Sequence, residues 1–175
     1  MAQNDIDGRW AQGWGGSTPN GVHVNVLLAR RGSATAAAIT TAYTSPSPGF
    51  TPILTSLGPD QASYVTLNPP TIILTKTAAL SGMEQSLVFG GAQVGIAQGV
   101  LDCVAKGLLE ADQETIILVS LWVDPQGADE TAVKHSARLA MAAAVSEAIL
   151  GRSDEDRQAL VNQRETITHP FYGGN

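Results

Sequence analysis

The stretch VHVNVLLARRGS, residues 22–33, decides the fold. It is an apolar, β-branched run interrupted by His23 and Asn25 and ended by the turn at Arg31-Gly32. Side chains alternate along a strand, so Val22, Val24 and Val26 fall on one face and His23, Asn25 and Leu27 on the other. An imidazole and a carboxamide therefore leave a rigid strand on the same side. That arrangement sets a proton donor beside a polar orienting group. A lone histidine is weak evidence, and a histidine bonded to a neighbouring loop is the plainer reading of this fragment. Ser33 then serves as N-cap for a small-residue helix over 34–43.

Working outward, Pro46, Pro48, Gly49 and Pro52 make a stiff loop. Strands are predicted over 52–57, 63–67 and 71–75. A helical region over 79–109 follows, interrupted at Gly90-Gly91 by a break or bend rather than running as one straight rod, because each glycine costs about 1 kcal/mol relative to alanine in a helix interior. The near-continuous apolar run over 114–123 predicts a central strand buried on both faces. Residues 129–150 form a long amphipathic helix with Val133, Ala137, Ala140, Met141, Ala144, Val145 and Ala148 on its apolar side. Gly151 caps it. Residues 152–161 are charged. The chain divides into an arm or edge segment (1–20), one domain (21–171) and a short tail (172–175). In the first of these, Trp10 and Trp14 need cover, from this chain or a neighbouring subunit. There is no GxGxxG after a strand and no GxxxxGK[ST], and FGGAQ (residues 89–93) has no lysine to make a phosphate loop.

The 175 residues suit one domain. Hydrophobic content of 43% supplies a core, and with 5% aromatics that core is aliphatic. A net charge of −6 without a basic stripe argues against nucleic acid, whose binding draws on phosphate neutralisation, and against anionic membranes. No apolar run is expected to reach the roughly 18 residues of a spanning helix. The start MAQNDIDGRW is polar and acidic, unlike a signal peptide, so the chain is expected to be cytoplasmic. The single cysteine, Cys103, has no partner for a disulfide or a zinc site. No metal site is predicted.

VHVNVLLARRGS is followed in order by PSPGFTPIL (46–54), TIILTK (71–76), VFGGAQVGIAQGV (88–100) and NQRETITHPF (162–171). That ordered set resembles the formaldehyde-activating enzymes, over roughly residues 21–171, with a longer loop near Asp60 and a shorter one near Gln126. The resemblance implies an α/β fold: one compact domain with a mixed sheet and a left-handed βαβ crossover, like a domain of a small-subunit ribosomal protein. It also implies assembly into a ring, a homopentamer with ligand in a cleft between subunits. The implied reaction joins formaldehyde to tetrahydromethanopterin as co-substrate, with no metal. A pterin amine attacks formaldehyde, water leaves with the help of a proton donor, and the second nitrogen closes the methylene bridge.

By the same resemblance His23 is the general acid. Asn25 matches a position usually held by a pterin-contacting aspartate, so it keeps an acceptor and loses the charge. Leu54, Lys76 and Gln93 match ligand contacts, Gln93 at the expected start of a helix segment. Ala78 stands where the family places a binding threonine, and Thr77 replaces it only with a local shift. Phe50 is expected to close over the pterin or to be a buried staple. Asn25 and Ala78 motivate an alternative: a non-catalytic paralogue that binds a pterin or senses a one-carbon carrier. His135 is expected to be solvated, Cys103 inert, and His169 structural, docking the tail.

Overall fold

In the computed structural model, which describes residues 5–169, the chain opens with β1 (Trp10–Gly15) and returns antiparallel as β2 (Val22–Arg30). The turn after β2 leads into α1 (Ala34–Tyr43), where the Ser33 side chain accepts from the Ala36 N–H as its cap. Short strands follow: β3 (Ile53–Leu54), β4 (Ser56–Leu57) and β5 (Val65–Thr66), then the longer β6 (Thr71–Thr75). One helical run joins α2 (Gly82–Gln85), a π-helical segment (Ser86–Ala92) and α3 (Gln93–Ala105). β7 (Thr115–Val123), α4 (Glu130–Leu150) and α5 (Asp154–Asn162) complete the order. Pro170 and Phe171 of the THPF ending, and the 172–175 tail, lie outside the described residues.

Among the described residues the main sheet has the order β1-β2-β7-β6-β3. Its pairs are antiparallel except β6 with β7, which run parallel and are joined through the helical run. The chain is thus a single α/β domain with a mixed sheet. Val22, Val24, Val26 and Leu28 of β2 are buried with Ile73, Ile117, Val119 and Leu121 against α3 and α4. Among the described residues, α1 covers one end of the opposite face, where Leu27 and Ala29 meet Ala36 and Ile39. β7 is central as predicted, but its second face is only half-buried, because the ten-residue α1 is too short to span it.

The paired glycines do not end the helix, but the α geometry is interrupted there by the π-helical segment Ser86–Ala92. The run continues through the π segment, and a Cβ on Gly91 would lie 2.6 Å from the Glu130 carbonyl oxygen. Gly95 and Gly99 repeat that approach along α4, with a Cβ on Gly99 falling 2.7 Å from the Arg138 oxygen. Close packing against α4 outweighs the propensity cost. Contrary to the sequence reading, Gly82–Ala105 is also long and apolar enough to cross a membrane by length and composition. Its most apolar window is 61% buried inside the domain, as in a core helix.

Two strand boundaries moved, and one helix was not anticipated. The expected strand over 52–57 splits into β3, paired with β6, and β4, paired with β5. Thr55 sits between them, its N–H donating to the Thr71 oxygen and its oxygen accepting from Leu67. The strand expected over 63–67 shrinks to β5, after a 3-10 turn at Gln61–Ser63 capped by Asp60. α5 has no buried residue, so no apolar stripe announced it. Its local signals are the Ser153 cap and the acidic first turn of Asp154, Glu155 and Asp156.

Candidate active site

Strand register builds the site on the sheet face that α1 leaves open. Trp14 of β1, His23 of β2 and Trp122 of β7 form one row across the sheet. Gln12, Asn25 and Ser120 form the next, with Leu74 beyond Ser120. Leu27, Leu118, Ile72 and Leu54 form the third. Lys76 stands two residues past Leu74, and its N–H donates to the Leu121 oxygen at 2.7 Å, which holds it in the sheet's pattern. His23, Asn25, Leu54 and Lys76 therefore share one face.

The imidazole of His23 is engaged at both nitrogens. Lys76 Nζ lies 2.6 Å from Nδ1, and Gln12 Oε1 lies 3.0 Å from Nε2. A carboxamide oxygen only accepts, so Nε2 carries the hydrogen and Nδ1 receives one from Lys76. The Trp14 ring is 5.9 Å from the imidazole and 5.6 Å from the Trp122 ring, so an aromatic wall flanks the pair. Burial, then the Lys76 charge, then that of His169 hold the His23 pKa below its ordinary value. Burial lowers that of Lys76 to about 8. Over the neutral range Lys76 is therefore charged and His23 neutral. The arrangement offers a proton at Nε2, with a second behind it at Nζ.

The other matched residues lie elsewhere in one chain. Gln93 is buried in α3, in the helical layer on the sheet's other face. It is the first residue of α3, as expected, but it brings no exposed N–H groups: its own N–H donates to Gly90 and Val88 oxygens of the preceding π segment. Its Oε1 accepts from Ser56 N–H at 3.1 Å and its Nε2 donates to the Phe89 oxygen, so it ties β4 to the helix. Ala78 lines a cleft of about 230 Å3 with Thr75, Thr77, Leu121, Val123 and Asp124. Thr75 and Leu121 belong to the buried face, so this cleft opens on the helical side, away from His23. Phe50 is half-buried in the proline loop, its N–H donating to Ser47. The next turn of that loop is pinned by Ala79 N–H donating to Gly49.

Sequence reasoning missed Gln12, Trp14, Trp122 and His169 as neighbours of His23. The signal for the first two was present in WAQGWG: Gln12 and Trp14 alternate with Gly13 and Gly15, the period of a strand. The glycines allow contact with α4, since a Cβ on Gly15 would lie 2.8 Å from the Ser136 carbonyl carbon. The charge of His169 helps hold the His23 pKa low, where only tail docking was expected. His135 is exposed and Cys103 is buried, its thiol pKa pushed up by burial, as expected of inert groups. Among the described residues no group of three or more His, Cys, Asp or Glu is placed to hold a metal ion.

Comparison with known proteins matches residues 14–172 to a family described as formaldehyde-activating enzyme (Fae). A protein of Methanosarcina barkeri named 5,6,7,8-tetrahydromethanopterin hydro-lyase is 30% identical over 158 residues, covering 89% of this chain and 85% of that protein. Proteins named bifunctional enzyme Fae/Hps are also similar. That of Methanothrix thermoacetophila is 27% identical over 90% of this chain, and that of Archaeoglobus fulgidus 26% identical over 86%. The chain spans 39% and 37% of those two bifunctional proteins.

Proposed function

The chain belongs to the formaldehyde-activating enzyme family, and we propose that it condenses formaldehyde with tetrahydromethanopterin, yielding methylene-tetrahydromethanopterin and water. The observation that carries this reading is the His23 imidazole held between Lys76 and Gln12 on an open sheet face. Formaldehyde is already electrophilic, and its hydroxymethyl adduct loses hydroxide poorly. The step that needs help is protonation of that oxygen. Nε2–H is the donor, in the place that Gln12 Oε1 occupies without ligand. The resulting iminium is closed by the second pterin nitrogen, which releases a proton and restores the balance. Trp14 and Trp122 supply ring faces on which a flat pterin stacks. The test is the absorbance-followed condensation with the protein added, read against the spontaneous rate.

One chain does not bring Gln93 and Ala78 to His23, which supports a cleft between copies in a ring, each copy lending a different face. α5 buries nothing, and Leu160, Val161 and Ile167 around it are exposed, a surface that a neighbouring subunit would cover. The expected result of light scattering at micromolar concentration is a closed oligomer, a pentamer by the family resemblance. A monomer there would remove the shared cleft.

The second reading is a relative that binds the pterin without catalysis. It is favoured by Asn25, which brings no carboxylate to the imidazole, and by Ala78, which brings no hydroxyl. Saturable pterin binding with only the spontaneous rate of condensation is its signature.

A further inference from the structure

Two basic side chains in direct hydrogen-bond contact do not both hold a full complement of protons. Lys76 Nζ approaches His23 Nδ1 at 2.6 Å, and both groups are half-buried, with the Trp14 ring 5.9 Å from the imidazole. If Nδ1 carried a hydrogen while Lys76 was charged, two N–H donors would face each other. The Gln12 oxygen at Nε2 selects the same tautomer from the other side. We propose that Lys76 and His23 act as one donor unit holding a single positive charge, resident on Lys76, and that Lys76 is the positioning residue that resupplies His23 with its proton. This rests on the proposed condensation.

The step balances. Nε2 gives its hydrogen to the departing hydroxyl, which leaves as water. Nδ1 takes a hydrogen from the Lys76 ammonium, leaving a neutral amine, and the imidazole regains its neutral form with the opposite tautomer. The proton set free as the second pterin nitrogen closes the bridge returns the pair to one charge. Burial favours this order, because it lowers Lys76 to about 8 and His23 below its ordinary value, so the lysine is the last of the two to lose its proton. The charged groups acting on His23 are Lys76 and His169. From β1 it meets Gln12 and Trp14, and its row and the next on β7 hold Trp122 and Ser120, none of which titrates near neutrality.

The test combines nitrogen NMR of the His23 imidazole with pH–rate profiles, on wild type, Lys76→Met and Lys76→Arg. In wild type the ring is neutral with hydrogen on Nε2 at about pH 7, and shows a further inflection near pH 8 as Lys76 loses its proton. Turnover falls as pH rises through the same point. Lys76→Met raises the His23 pKa, since a neighbouring positive charge is gone. Lys76→Arg keeps that charge but holds its proton. It therefore lowers turnover by about a hundredfold, moves KM little, and erases the inflection near pH 8. Wild-type turnover and pH profile in Lys76→Arg would overturn the proposal, as would a wild-type ring with hydrogen on Nδ1. Should wild type fail to catalyse, the condensation reading falls, and the inflection near pH 8 alone decides whether the pair shares one charge: present, it stands; absent, it does not.

Discussion

His23→Ala is expected to remove about a hundred- to ten-thousand-fold of the rate acceleration, the range that a positioned acid–base group supplies. Pterin affinity should stay within a few-fold, because binding is spread over ring faces and several polar contacts while proton donation passes through one atom. The difference between kcat and KM separates the two roles. A similar fall in affinity would make His23 a binding residue. The partner variant is Asn25→Asp, which puts a carboxylate two residues along the same strand face. A negative neighbour raises the His23 pKa and strengthens its hold on a proton. If the missing carboxylate limits this protein, turnover rises. Unchanged turnover in an already fast enzyme would show that the amide suffices.

The second large effect is on stability. Gly95→Ala should destabilise the fold by about 3 kcal/mol or more, at or beyond the upper end of ordinary overpacking. A Cβ at position 95 would fall within the van der Waals shell of the Lys134 carbonyl oxygen and 2.8 Å from Ala137 Cβ. The oxygen belongs to the backbone of α4, so no rotamer change relieves it, and the two helices must separate along their shared seam. Gly82→Ala is the control. Nothing lies within 4 Å of a Cβ there, and the site is the first residue of α2. It should stay within about 1 kcal/mol of wild type, or gain slightly through the unfolded chain. Urea midpoints at constant slope measure both. A Gly95→Ala midpoint equal to that of Gly82→Ala would mean that the helices adjust freely.

The sequence made the strongly periodic elements legible. β2, α1, β6, β7 and α4 fall where alternation, the Ser33 cap and the Gly151 terminus place them. The face of β2 that carries His23 and Asn25 follows from the same alternation. What local pattern does not carry is the third dimension. Gln93 matches a ligand contact as well as Lys76 does, yet the two lie on opposite sides of the sheet, because the βαβ connection sends the helical run to the valine face. Gly90-Gly91 reads as a break or bend, and local pattern does not show that the glycines admit the Glu130 backbone at a π segment of one continuous run. Gln12 hides between two tryptophans in a short glycine-rich segment, and its role appears once β1 is paired with β2. α5 was illegible because helices are announced by what they bury, and this one has no buried residue against the rest of the described chain.

The central claim is that the His23–Lys76 face accelerates joining formaldehyde to tetrahydromethanopterin. The most direct test is the initial rate of that condensation, by absorbance, at protein concentrations well below those of both reactants. The account predicts a rate above the spontaneous one that grows linearly with protein, saturates in the pterin, and falls as pH rises through about 8 as Lys76 loses its proton. A rate indistinguishable from the spontaneous one, in a protein that binds the pterin saturably, would contradict it and leave a binding role in its place.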